Sequence, residues 1–241
     1  MNDPAMPGSH TDWYAWHEVY DVPDSRFATR LAAVQTAVRR FLDSAPPGEV
    51  VVLDICGGQS RCVLPVLEDH PRAGDVRLQL VEHDPRNVAV ARDEAARLGI
   101  SFVERIGDGG ASDTYAGLER AQLVVMSGLF IHMPPSDRRR TIGHLPEVCA
   151  ADATLVWTLR AGAPARQLGR FLARGGFVHE PLDHEVREHR VGVSHLTREP
   201  RALQPGVQWF RFQSVQQTRR NKARVALGRW RRRLLRQPPV D

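Results

Sequence analysis

The chain has 241 residues with 33 Arg/Lys against 28 Asp/Glu, a length suited to one substantial core, and no long Pro/Ser linker divides it. No window reaches the roughly 18 unbroken apolar residues of a membrane span, and the start "MNDPAMPGSHTDW" lacks the basic-then-apolar order of a secretory signal, so a cytoplasmic protein is expected. Cys56, Cys62 and Cys149 lack CxxC spacing, which excludes a disulfide framework or zinc knuckle, and nine bases without an acid between Arg219 and Arg236 leave 24 bases to 28 acids elsewhere, a mildly acidic body with a basic tail.

In chain order, "DWYAWHEVYDVPDSR" precedes a helix from Phe27 to Leu42, where Leu31, Val34, Val38, Phe41 and Leu42 recur at helical spacing, capped by Asp24 or Ser25 and ended by "APPG". Val50 to Leu53 is an apolar strand buried on both faces, and a helix follows from near Ser60 toward His70. Val76 to Val81 is the second strand; Asp84 caps the next helix, Pro85 takes its first position, and Val88, Ala91 and Ala95 lead to a stop at Gly99. Ile100 to Val103 and Gln122 to Met126 are the third and fourth strands, separated by "GDGGASD" and a short helix. Then come a helix from Pro135 to Ala150, a fifth strand from Ala153 to Arg160, a helix from Pro164 to Gly175 and a strand from Phe177 to Glu180. Two late strands, "HRVGVSHL" and "VQWFRF", follow with no helix between them, a hairpin-like end. Alternating strands and helices predict a doubly wound, mostly parallel sheet with an antiparallel last strand, in an α/β fold.

Ligands of such sheets sit at the carboxyl ends of the strands where the winding reverses. The first end, "LDICGGQSR", lets the backbone approach a ligand at Gly57 and Gly58 but lacks G-x-G-x-x-G, and Asp54 is badly placed beside a diphosphate. Glu82 follows Gly58 by 24 residues, near the offset of a ribose-binding carboxylate, and Asp108 after the third strand could accept from an adenine amine. Acids at three successive strand ends predict a positively charged nucleoside, a description that S-adenosyl-L-methionine meets.

Over roughly Phe27 to Phe212 the chain resembles the class I S-adenosylmethionine-dependent methyltransferases. Asp54 and Gly58 match D-x-G-x-G-x-G, with Cys56 and Ser60 at the first and third glycines. The nearest pattern is that of a bacterial subset reading D-x-C-x-G-Q-G, from which Ser60 departs. "SGLFIHMPP" resembles L-H-H-x-P, with His132 on the second histidine, and "LPEVCAADATLVWT" resembles L-x-P-G-G-x-L-V. The resemblance implies a seven-stranded, Rossmann-like α/β/α sandwich. It also implies a cofactor-binding set of Asp54, Cys56, Gly57, Gly58, Ser60, Glu82, His83, Gly107, Asp108, Gly109, Ser127 and Gly128. A β-carbon at Ser60 could crowd the helix or the cofactor; alternatively its hydroxyl caps the helix.

Methyl transfer from a sulfonium needs alignment above all, with a general base where the acceptor carries a proton. His132 is the first candidate base and His17 the second; alternatively His132 only shapes the pocket. Trp13, Tyr14, Trp16 and Tyr20 cluster where they could stack on a flat acceptor, or simply pack the arm onto the sheet. His179, His184, His189 and His195 fall at spacings that match no helix or strand face, so no metal site is expected. In the tail, Leu227, Trp230 and Leu234 give a narrow apolar stripe on a basic helix that could meet RNA, an anionic surface or a partner. The predicted organisation is an aromatic arm (1–25), a methyltransferase domain (26–215) and a basic tail (216–241). The leading expectation is a methyltransferase acting on a small-molecule acceptor. The alternatives are an RNA methyltransferase, a non-catalytic S-adenosylmethionine-binding scaffold and, more distantly, a nicotinamide oxidoreductase.

Overall fold

The computed structural model describes residues 12–161, 165–180, 185–186 and 188–211, so the tail, His184 and Phe212 lie outside the described residues. Its strands are β1 (Val50–Ile55), β2 (Val76–Glu82), β3 (Ser101–Ile106), β4 (Ala121–Met126), β5 (Cys149–Arg160), β6 (Phe177–His179), β7 (Glu185–Val186) and β8 (His189–Leu196). The helices are α1 (Trp13–Trp16), α2 (Arg26–Ser44), α3 (Leu64–Leu67), α4 (Pro85–Leu98), α5 (Pro135–His144) and α6 (Ala165–Gly175). No helix among the described residues is long and apolar enough to cross a membrane.

All six residues of β1 are buried, and β1 occupies the middle of a sheet ordered β3-β2-β1-β4-β5-β8-β6, with the two-residue β7 also paired to β8. β1 to β5 run parallel, while β8 is antiparallel to β5, β6 and β7. The order reverses between β1 and β4, which opens a crevice at their carboxyl ends. Successive side chains of β1 point to opposite faces: Val51, Leu53 and Ile55 join one apolar core, Val50 and Val52 the other. The result is a mostly parallel, doubly wound sheet between two helical layers, as expected.

α4 follows its sequence signals closely. Asp84 accepts from Arg86 N, Pro85 opens the helix, and Gly99 ends it in the left-handed conformation at φ 67°. For α2 the cap is Ser25, whose Oγ accepts from Ala28 N at 3.1 Å, and not Asp24. Two helices are shorter than predicted. The one expected from Ser60 to His70 is helical only over α3, because Gly58 and Ser60 both take positive φ and hold the preceding residues in turns. The one expected to reach Ala150 ends at His144, where Leu145–Glu147 tightens into a 3-10 turn before β5 starts at Cys149.

The predicted hairpin at the end of the chain is corrected. β8 is the antiparallel strand beside β5, and its hairpin partner is β7. The described part of "VQWFRF" makes one isolated bridge, Gln208 to Ala111, because β8 already fills the place beside β5. This strap instead buries Trp209 between Tyr115, stacked at 4.6 Å, and His144, stacked at 5.9 Å. Truncating such a ring costs about 3–5 kcal/mol, enough to explain an apolar run outside the sheet.

Candidate active site

The β1 strand end carries Asp54 into a buried position, 1% exposed. Ser60 Oγ donates to Asp54 Oδ2 at 2.7 Å, so the hydroxyl serves the acid and does not cap the helix. Burial pushes the Asp54 carboxyl up to about 7; the Ser60 hydrogen bond opposes this and the Glu82 charge adds to it. Two non-glycine residues of the loop take the left-handed conformation, Cys56 at φ 50° and Ser60 at φ 52°. Each left-handed non-glycine residue costs about 1–2 kcal/mol. At Ser60 the bond to Asp54 offsets part of that.

The glycines are needed for contacts inside the protein. A Cβ on Gly57 would lie 2.3 Å from the Asp54 carboxylate, and one on Gly58 2.1 Å from His17 Nε2. A Cβ on Gly109 would meet Cys56 Sγ at 2.5 Å, which packs the β1 and β3 loops together. Burial raises the Cys56 thiol well above its usual range, so it is an inert packing group.

Glu82, 8% exposed, accepts from Gly58 N at 3.0 Å and from Asp84 N at 2.9 Å. Two backbone amides thereby fix its carboxylate at the mouth of β2. Asn87, on the first turns of α4, is fully buried and leaves Nδ2 without a partner. Asp108 is exposed and tied down by its own chain: Oδ1 accepts from Gly110 N at 2.8 Å and Oδ2 from Gln208 Nε2 at 2.9 Å.

The opposite wall comes from the N-terminal arm and the β4 end. Asp12 caps α1 and pairs with Arg86 at 2.7 Å; Asp21 pairs with Arg61 at 2.5 Å. These anchors lay the His17 ring over Gly58 and set Trp13 edge-on to His132 at 5.6 Å. Burial lowers the His132 imidazole to about 4, helped by the Arg30 charge, and lowers His17 to about 4, helped by Arg61. Both rings are neutral near pH 7.

One cavity of about 600 Å³ gathers these walls. Asp54, Cys56, Gly57, Gly58, Glu82, His83, Asp108, Gly109, Ser127, Gly128, His132, His17, Trp13, Trp16 and Tyr20 all line it. Of the other expected site residues, Ser60 lies beneath the loop. Gly107 packs by Thr114 and hydrogen-bonds Glu82 O, and Tyr14 turns out to Arg86, whose guanidinium lies 5.1 Å from its ring. Of the four histidines weighed as ligands, His195 bonds Glu180 and His179 bonds Val193 O, and no metal-like cluster forms among the described residues.

Sequence reading missed Arg30, Asn87 and Gln208, which also line the cavity. Arg30 had a readable signal: it falls three residues after Phe27 and four before Val34, on the buried face of α2. Gln208 had none, since it arrives from a strap about 100 residues from Asp108.

An open, mostly parallel sheet with acids at neighbouring strand ends around one cavity is the architecture in which α/β proteins bind nucleoside cofactors. A family model described as "Putative methyltransferase" matches residues 26–175, and the chain belongs to that family. No curated protein sequence matches it. Among solved structures it is similar to the CurJ carbon methyltransferase, with 13% identity, a TM-score of 0.61, and coverage of 73% of this chain and 56% of that one. It is similar to the pyocyanin biosynthetic protein PhzM, with 18% identity, a TM-score of 0.54, and coverage of 78% and 63%. A third is magnesium protoporphyrin IX methyltransferase (ChlM) from Synechocystis PCC 6803 with bound SAH, with 14% identity, a TM-score of 0.55, and coverage of 71% and 85%. At these identities the likeness is one of fold, and the chain spans less than two thirds of CurJ and of PhzM.

Proposed function

We propose that the protein transfers a methyl group in line to a small-molecule acceptor held between the aromatic arm and the β4 end. The observation that carries the reading is one cavity with fixed acids at one end and a neutral imidazole among aromatic rings at the other. The residues suit S-adenosylmethionine. Asp54 faces the cleft as a buried acid whose charge a cation would complete, Glu82 offers lone pairs to ribose hydroxyls, and Asn87 Nδ2 is a buried donor still wanting an acceptor.

Bound there, the cofactor supplies a methyl group activated by its sulfonium. The chain's residues bind, orient and exclude water: Asp54 and Glu82 hold the charged and ribose portions, while Gln208 and Asp108 border the far end. Trp13, Trp16 and Tyr20 cover the acceptor. His132 takes the acceptor's proton where there is one, since its imidazole is unprotonated at neutral pH. His17, over Gly58, covers the loop and is the secondary base. In the proposed division the arm (1–25) and the domain (26–215) share these roles, and the tail (216–241) follows them. Free thiols at Cys56, Cys62 and Cys149 suit a reducing, cytoplasmic setting. The RNA alternative rests on the tail, outside the described residues.

Isothermal titration tests the placement. S-adenosylmethionine and S-adenosylhomocysteine should bind the wild type, and Asp54→Ala and Glu82→Ala should each weaken binding. Unchanged affinity in both variants would refute the proposal.

A further inference from the structure

Arg30 is a cation inside the cleft without an anion. Only 4% of the residue is exposed. Nη2 donates to Tyr20 Oη at 2.7 Å, and the guanidinium carbon lies 5.7 Å from the Tyr20 ring centre and 5.6 Å from that of Phe27. Nε is buried and has no partner, and no carboxylate pairs with the side chain among the described residues. Nearby arginines differ: Arg26 pairs with Glu188 at 3.2 Å and Arg61 with Asp21 at 2.5 Å.

The guanidinium points toward the end of β4, with Nη2 3.5 Å from where a Cβ on Gly128 would stand. A buried guanidinium is expensive to keep unless it is paired and its donors are satisfied. Its planar fork matches a carboxylate in two parallel hydrogen bonds. Tyr20 and Phe27 flank it, and Arg30 lines the cavity together with His132.

We propose that Arg30 is a carboxylate receptor in the cleft. The carboxylate has two sources: the aminoacyl end of the cofactor, which rests on the function proposed above, or an acid group on an aromatic acceptor, which does not.

Two matched probe pairs separate the sources. S-adenosylhomocysteine is compared with its decarboxylated analogue S-adenosyl-3-thiopropylamine, and 4-hydroxybenzoate with 4-hydroxybenzyl alcohol. Each is titrated against the wild type, Arg30→Met and Arg30→Lys. In Arg30→Met the carboxylate member of one pair should lose about 10- to 100-fold in affinity while its carboxylate-free partner is unchanged, and Arg30→Lys should recover part of the loss. A loss confined to the first pair assigns the site to the cofactor; a loss confined to the second assigns it to the acceptor. Equal losses across all four probes mark a structural role and overturn the proposal, as do equal affinities throughout. If wild type fails to bind S-adenosylhomocysteine, the cofactor reading falls while the benzoate pair still tests Arg30. The melting temperature of ligand-free Arg30→Met checks that the variant is folded.

Discussion

The two ends of the cavity are held by different kinds of bond. At the β1 and β2 ends the backbone does the holding: Gly58 N and Asp84 N both donate to Glu82, Cys56 N donates to Val81 O at 2.7 Å, and Asp54 sits beneath the loop. At the arm end side chains do it, through Asp12 with Arg86, Asp21 with Arg61, Tyr20 with Arg30 and Trp13 against His132. Backbone bonds in a parallel sheet leave little room to rearrange. Exposed ion pairs contribute roughly 0–1 kcal/mol each and yield readily. On the function proposed above, this contrast makes the cofactor side preorganised and leaves the acceptor side able to adapt.

The largest effect should come from the adaptable side. His132→Ala should lower kcat by about 10²- to 10⁴-fold on an acceptor that carries a proton, while S-adenosylmethionine affinity stays within about threefold. Because the imidazole titrates near 4, the wild-type kcat should show no histidine limb between pH 5.5 and 8. With S-adenosylmethionine saturating at every pH, so that Asp54 does not enter, a limb near 6.5 would break the assignment.

Asp54→Asn probes the fixed side and should weaken S-adenosylmethionine binding by about 30- to 1,000-fold. The wild type should show a pH dependence from the same group. Asp54 holds its proton up to about pH 7, and only the charged form favours a cation, so affinity should fall as pH drops below 7, approaching tenfold per unit, and level off above. For stability the sign is opposite. The folded carboxyl binds its proton more tightly than the unfolded one, so its contribution is lost as pH rises from about 4 to 7. Asp54→Asn should therefore raise the melting temperature at pH 8 even as it destroys binding.

Gly58→Ala would couple the two sides, since the new Cβ meets the His17 ring at a position with φ 59°. It should cost about 1–3 kcal/mol in a denaturant titration and displace the arm, visible as a change in tryptophan fluorescence. The smallest effect belongs to Ser60→Gly. Relief of the left-handed strain and loss of the bond to Asp54 oppose each other, so stability should change by less than about 1 kcal/mol. Affinity should fall only modestly, through a further rise of the Asp54 pKa.

What the sequence made legible follows the same division. β1, β2 and α4 could be read because buried strands, an N-cap, a first-turn proline and a terminal glycine are local signals. So were the three acids, since each ends a strand. Ser60 could be located but not understood: a positive φ at a non-glycine residue leaves no mark in composition, and the distinction between capping a helix and serving Asp54 depends on contacts. Trp209 and Phe210 looked like strand residues because an apolar run has no address of its own; only the occupancy of the place beside β5 decides. Arg30 is legible only as a conflict, a charged residue within the apolar stripe of α2, and no motif marks it.

If the arm covers the cleft as proposed, the way it is fastened sets how material passes in and out. Both of its outer clasps, Asp12 with Arg86 and Asp21 with Arg61, join oppositely charged groups at the surface, where dissolved ions compete. Raising ionic strength should loosen them and hasten exchange of spent cofactor, while the amides that grip Glu82 keep their hold.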